Sequence, residues 1–235
     1  MLRYKILIEY VGTNFIGWQI QSKGKSIQKL IQAKISKLLK EKVSVVGSGR
    51  TDSGVHAIEQ SAHFDCKKEI QNPDKFLRSI NHFVNARGIS IVHIKKKNMS
   101  FHARFSAKQR VYKYIIFNRL SRPSIEKQRG WHIIKELDIS LMKKGAKKLL
   151  GTKDFSTFRS SSCNAKSPIR TMKSIKIKSI KGRIEIQFKS QSFLQQQVRS
   201  MVGCLKYLAE KKWDLKKFDF VLKSKKRILC APPAP

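Results

Sequence analysis

The sequence predicts an α+β protein of two similar α/β halves that share a mixed, mainly antiparallel sheet around a central basic cleft. Three observations carry that expectation. Strand–helix–strand alternation runs through residues 1–105 and again through residues 106–235, with no Pro/Gly/Ser-rich linker between the halves. Hydrophobic residues make up 40% of the 235 positions, which lets a chain of this length bury a sizeable core. Lys and Arg number 51 against 15 Asp and Glu, a formal charge of +36 that repels itself in the compact state unless a polyanion or counterions screen it.

The elements follow in order. Leu2, Tyr4, Ile6, Ile8 and Tyr10 alternate with Arg3, Lys5 and Glu9, the period of a half-buried strand. Gly12 opens a loop carrying Asn14, Gly17, Trp18 and Gln19. Ser26 is placed to cap a helix whose apolar stripe is Ile27, Leu30, Ile31, Ile35, Leu38 and Leu39. Residues 43–46 form a short strand, residues 47–54 a polar loop, and residues 58–65 a further strand. Pro73 begins a helix through Phe83, and residues 89–94 return as a strand. Residues 110–118 are a longer strand. Asp138 caps a helix through Leu150, with Gly151 as its stop. Ile175, Ile177 and Ile180 face Ile184, Ile186 and Phe188 across Lys181-Gly182-Arg183, a hairpin signal. Residues 193–209 and 215–223 are expected to be helices.

Composition also excludes. No run approaches the eighteen or so apolar residues of a membrane span, and the N-terminus has no apolar signal core, so a cytoplasmic protein is expected. Cys66, Cys163, Cys204 and Cys230 form no C-x-x-C pair and have no closely spaced histidine partners, so no metal is expected. The charge excess suits nucleic acid or an anionic membrane. Lys is spread along the whole chain rather than gathered in a tail, so compositional bias accounts for part of it.

The densest polar stretch is Gly47-Ser48-Gly49-Arg50-Thr51-Asp52-Ser53-Gly54-Val55-His56. Its glycines allow sharp turns and close approach to a ligand, and an acid flanked by Arg, Thr and Ser can be held ionised. It is no P-loop, because the Gly-Lys-Ser/Thr ending is absent, and no G-x-G-x-x-G follows the first strand. Taken alone, an Asp in such a turn is more often an Asx-turn or a helix cap than a catalyst.

The motif Gly-Arg-Thr-Asp-x-Gly-Val-His at residues 49–56 resembles the catalytic loop of the TruA family of tRNA pseudouridine synthases. Further matches fall in the family's order. They are Phe15-Ile16-Gly17-Trp18-Gln19-Ile20-Gln21, Ser26-Ile27-Gln28, Phe101-His102-Ala103-Arg104-Phe105 and Arg110-Val111-Tyr112-Lys113-Tyr114. Asp154-Phe155-Ser156-Thr157-Phe158-Arg159, Pro168-Ile169-Arg170 and residues 192–203 complete the set. The chain departs from the pattern in three places. Residues 81–85 lack a Leu-Pro, Gln196 stands where a His is common, and residues 227–235 lead to no Gly-Leu-x-Leu strand.

The resemblance implies the pseudouridine synthase fold, a cofactor-free isomerisation of uridine to pseudouridine on the 3′ side of the tRNA anticodon stem-loop, and a homodimer. It makes Asp52 the nucleophile and Arg50 the residue that holds the space left by the everted base. Tyr112 would stack on the uracil, and Arg199 would keep Asp52 ionised. Phe15, Trp18, Gln19, His102, Arg104, Arg159 and Arg170 would contact RNA. The residues by themselves leave other roles open. Arg50 can bind phosphate, and Tyr112 shares a strand face with Tyr114 and Ile116, as a core aromatic does. Arg199 can snorkel or bind phosphate, and Trp18 can be core. A basic RNA-binding protein or RNA chaperone with the same fold, but no catalysis, is the alternative.

Overall fold

Strand β1 (Leu2–Tyr10) buries Tyr4, Ile6, Ile8 and Tyr10 along one face, as its alternation requires. In the computed structural model, which describes residues 1–235, it lies inside a four-stranded antiparallel sheet. β3 (Ala57–Cys66) and β4 (Ile89–Lys97) pair on its two sides, and β2 (Val45–Gly47) pairs with β3 at the edge. Helix α1 (Ile27–Leu39) starts where Ser26 Oγ accepts from the Lys29 amide at 3.3 Å. Helix α2 (Pro73–Val84) starts at Asn72, whose side chain accepts from the Lys75 amide at 2.8 Å, with Pro73 in the first turn. Ile27, Ile31 and Ile35 from α1 and Phe76, Ile80 and Val84 from α2 join the strand residues in one core. At Asn81, in the stretch without Leu-Pro, the side-chain amide donates to Ile91 O (2.9 Å) and accepts from Ile91 N (2.8 Å), tying α2 to β4. These elements make up a first compact unit, Met1–Ala107.

The second unit, Lys108–Pro235, holds a five-stranded sheet in the order β6-β5-β9-β8-β7. The strands are β5 (Arg110–Asn118), β6 (Trp131–Ile133), β7 (Gly151–Asp154), β8 (Ile169–Ile180) and β9 (Arg183–Ser190). β5 and β6 run parallel and every other pair is antiparallel. The β8–β9 hairpin closes on Lys181 and Gly182, both at positive φ (47° and 74°), the backbone that a two-residue turn between twisted strands needs. Ile184, Ile186 and Phe188 of β9 are fully buried. Ile177 lies opposite Ile186 and Ile175 opposite Phe188, whereas Ile180 pairs with Arg183 and is exposed. Helices α3 (Ile139–Lys148), α4 (Gln197–Ala209) and α5 (Leu215–Ser224) supply the rest of this core. Asp138 and Asp214 cap α3 and α5 through the amides of Leu141 and Lys217.

The α+β class and the mainly antiparallel pairing are as expected, but the strands form two hydrogen-bonded sheets, one in each unit, instead of a shared one. Helix α4 also starts later than residue 193. Gln196 takes the left-handed conformation (φ 60°), and Gln197 Oε1 accepts from the Leu194 amide at 2.8 Å, so residues 193–196 form a turn ahead of the helix. No helix is long and apolar enough to cross a membrane.

Candidate active site

In the first unit, the segment after β1 and the Asp52 loop are laced together by main-chain bonds. Trp18 N donates to Thr51 O (3.1 Å), Gly54 N to Phe15 O (3.4 Å) and Val55 N to Asp52 O (3.2 Å). Ser53 Oγ adds a bond to Phe15 O at 3.1 Å. Two glycines make the approach possible. A Cβ on Gly17, which sits at φ +112°, would lie 2.6 Å from Thr51 O, and one on Gly12 would collide with the Val55 carbonyl. Tyr10 holds the loop from β1, its hydroxyl 2.8 Å from Thr51 Oγ1, and Gly12 N donates to His56 Nδ1 at 3.0 Å. On the other flank Ser48 Oγ donates to Gln60 Oε1 (3.1 Å), and Gln60 Nε2 donates to Gly49 O (2.5 Å). The outcome is an acid, half-buried, at the centre of a turn fixed on both sides, with Arg50 exposed two residues before it.

Trp18 and Phe15 complete this support. Trp18 is 3% exposed, packs near Tyr10 (ring centroids 6.1 Å apart) and lies so close to Gly47 that any side chain there would strike its indole. Phe15 is buried in the same core. Both side chains thus back the loop from the core. Gln19, next to Trp18, is exposed.

His102 and Arg104 lie on a tight turn that follows β4. His102 Nδ1 accepts from the amides of Arg104 (3.2 Å) and Phe105 (3.3 Å), its own amide donates to Ser106 Oγ (2.9 Å), and its ring stacks on Phe105 at 4.4 Å. The ring of His102 is therefore occupied in shaping the turn, while the Arg104 side chain is exposed. His63 anchors this turn to β3. It is buried, its Nδ1 accepts from Ala103 N at 3.2 Å, and burial, with the charges of Arg3 and His102, lowers its pKa to about 4. Arg3 reaches the same region, gripping Asp65 through two 2.7 Å bonds and donating to the carbonyls of Met99 and Phe101.

In the second unit, Tyr112 of β5 lies opposite Phe188 and meets Phe193 edge-on, with ring centroids 5.0 Å apart. It is half-buried, next to the core without being sealed in it. Arg199 lies in the first turn of α4, half-buried, and its Nε donates to Ala234 O at 2.8 Å. Arg159 is half-buried beside the turn in which Ser160 N donates to Gln195 O. Arg170 is committed to its own segment, with Nη1 donating to Ser167 O (2.9 Å) and Ile169 O (2.6 Å), and desolvation lowers its pKa from the ordinary arginine value. Cys204 and Cys230, distant in sequence, bring their sulfurs to 3.4 Å.

Comparison with known proteins identifies the setting of these motifs. The sequence pattern of a family described as tRNA pseudouridine synthase matches residues 6–106 and 146–235. The chain belongs to the tRNA pseudouridine synthase family. It is 81% identical over 235 residues to the tRNA pseudouridine synthase A of Pelagibacter ubique, covering all of this chain and 96% of that one. Its identity to the tRNA pseudouridine synthase A of Parvibaculum lavamentivorans is 39%, and to that of Sinorhizobium medicae 40%. Both alignments take in the whole of this chain and at least 95% of the relative. Within this tRNA pseudouridine synthase, Asp52 and Arg199 both fall inside the matched residues. The sequence did not single out Tyr10, Gln60 or Ala234 as neighbours of these groups. Tyr10 reads only as a strand residue, and a main-chain carbonyl carries no side-chain signature.

Proposed function

We propose that this chain converts uridine to pseudouridine in tRNA, on the 3′ side of the anticodon stem-loop, with Asp52 as the nucleophile and without a cofactor. The observation that carries the proposal is the way the Asp52 turn is held, by main-chain bonds and glycine contacts on both flanks, with the acid only half-buried. A carboxylate fixed in this way can attack the substrate with little loss of entropy, and a covalent intermediate divides the isomerisation into two easier steps. Asp52 forms one bond to the substrate and later releases it; in that course the C1′–N1 bond breaks, the uracil turns and C1′ bonds to C5, and finally C5 loses its proton while N1 gains one. Substrate and product are isomers, so no redox partner or group donor is required.

In this reading residues 1–105 supply the nucleophile and Arg50, which enters the space vacated by the everted base. Residues 106–235 supply Tyr112 for stacking on the uracil and Arg199 as the cation that keeps Asp52 ionised. Gln19, Arg104 and Arg159, with exposed or half-buried side chains, are proposed RNA contacts. A homodimer, in which one subunit grips tRNA while the other acts on it, and a cytoplasmic location belong to the same proposal.

The test is release of tritium from tRNA labelled at uracil C5. The native chain releases it, and Asp52→Asn releases none while still binding tRNA. Release that survives the substitution removes Asp52 from the mechanism, and loss of binding by a folded mutant makes it a recognition residue. Arg199→Ala should reduce release by a factor of about 100 or more, as expected when the cation proposed to keep the nucleophile ionised is removed.

A further inference from the structure

Residues 231–235 reach Arg199 by a route that the sequence motifs do not disclose. The segment leaves the end of the second core along α4 and is anchored on the way. Arg227 Nη1 donates to Ser200 Oγ at 2.9 Å, and the Cys230 sulfur lies 3.4 Å from that of Cys204. Ala231 and Ala234 are then buried, at 3% and 0% exposure. Ala234 is held twice by one residue, because its amide donates to Arg199 O at 3.0 Å and its carbonyl accepts from Arg199 Nε at 2.8 Å. One residue further, the Pro235 carbonyl accepts from the Tyr114 hydroxyl at 3.1 Å. Burial raises the pKa of that hydroxyl, so it remains a donor at any ordinary pH. Gly203 leaves the room, since any Cβ there would collide with the Pro232 carbonyl. Pro232 and Pro233 limit the conformations the segment can take, which makes ordering it inexpensive in entropy.

We propose that residues 231–235 are a positioning segment for Arg199, in which the Ala234 carbonyl fixes the orientation of the guanidinium by engaging Nε. The inference rests on the assignment of Arg199 as the cation that serves Asp52. A guanidinium is a planar fork, so holding Nε sets the plane in which its remaining donors point. Ala234 and Tyr114 are thus positioning residues, acting through Arg199 and not on the substrate. Gly203 is their enabling partner, because the segment can lie against α4 only where no side chain intervenes.

The experiment uses the full chain and single-turnover tritium release from C5-labelled tRNA at several tRNA concentrations. Gly203→Ala and Tyr114→Phe are made in the native chain and in Arg199→Lys, which keeps a cation but lacks the Nε donor. In the native background Gly203→Ala should lower kcat by about 10–100-fold and Tyr114→Phe by about 3–10-fold, with KM for tRNA changed by less than about 2-fold, as expected for misplacing a group that acts after binding. In the Arg199→Lys background neither change should lower the rate further, because the bond they disturb is already gone. Losses that multiply in both backgrounds, or a rise in KM in place of a fall in kcat, overturn the proposal. Should Gly203→Ala fail to fold by circular dichroism, Tyr114→Phe, which introduces no clash, decides by the same criterion. Full release by Arg199→Ala would defeat the catalytic assignment itself. A crippled Arg199→Ala beside unaffected Gly203→Ala and Tyr114→Phe defeats only the positioning role.

Discussion

Gly17 offers the sharpest test of how the Asp52 turn is held from outside, because Gly54, within the turn itself, serves as its control. Gly54 is at φ +77° and a Cβ there would have nothing within 4 Å, so Gly54→Ala meets only the left-handed backbone preference, about 1–2 kcal/mol. Gly17 is at φ +112°, outside the left-handed well, and its Cβ would lie 2.6 Å from Thr51 O and 3.2 Å from the Asp52 carbonyl carbon. Backbone strain there is worth about 1–3 kcal/mol. Moving Thr51 away also endangers its bonds to Trp18 N and the Tyr10 hydroxyl, each worth about 1 kcal/mol net. Gly17→Ala should therefore destabilise the protein by about 2–4 kcal/mol against the smaller loss for Gly54→Ala. Because Thr51 precedes Asp52, tritium release should fall by about 100-fold if the acid moves by 1 Å. Urea unfolding at 25 °C gives the stabilities, and single-turnover release at temperatures where both variants are folded gives the rates. Equal losses of stability in the two variants, with native rates in Gly17→Ala, would refute the account of the loop.

Other outcomes follow from the same contacts. His63 stays neutral in the folded protein down to about pH 4, whereas the unfolded imidazole protonates near 6.5. Unfolding therefore takes up a proton between those values, and the stability from His63 is complete above about 6.5 and lost as pH falls towards 4. Thermal unfolding of His63→Gln should show a shallower fall across that window. The Arg3 guanidinium lowers the Asp65 carboxyl below its ordinary range, so this pair contributes above the unfolded carboxylate pKa and fades as pH drops through the lowered folded value. Asp65→Asn should lower stability at neutral pH by about 1–3 kcal/mol, measured by denaturant titration. Gly145→Ala places a methyl against Leu208 and Leu205 where α3 crosses α4, and should destabilise by about 1–3 kcal/mol without altering tRNA affinity, checked by unfolding and filter binding.

What the sequence disclosed follows physical range. Period-2 alternation and Ser, Asn and Asp caps are local signals, and β1, β5, α1 and α2 come out within a residue or two of their observed bounds. Strands β6 and β7, three and four residues long, are too short to display alternation and owe their existence to neighbours far along the chain. The start of α4 was misplaced because Phe193 and Leu194 fit an apolar helical stripe, and only the positive φ of Gln196 breaks it. At the site, side-chain chemistry was legible and its support was not. Asp52 stands out by its flanking glycines, but that Trp18 would be walled in by Gly47 and Tyr10 depends on which strands pair, and this is a property of the sheet.

That difference bears on where sensitivity to mutation should lie. A carboxylate that must meet a substrate cannot be immobilised by burying it, because desolvation would protonate it and close off access. With Asp52 as the proposed nucleophile, its turn meets this constraint with carbonyl and amide contacts from residues 12–18, made close by Gly12 and Gly17, while apolar burial is left to Phe15 and Trp18 behind it. The same solution recurs at Arg199, whose Nε is held by a main-chain carbonyl that Gly203 admits. Backbone partners cannot be deleted by a single side-chain change, but they can be pushed away by one added methyl group. Alanine at Gly12, Gly17 or Gly203 should accordingly reduce tritium release more than alanine at an exposed cation such as Arg104, whose loss should weaken tRNA binding alone. A scan in which Arg104→Ala proved the more damaging to kcat would mean that these main-chain contacts are incidental to catalysis.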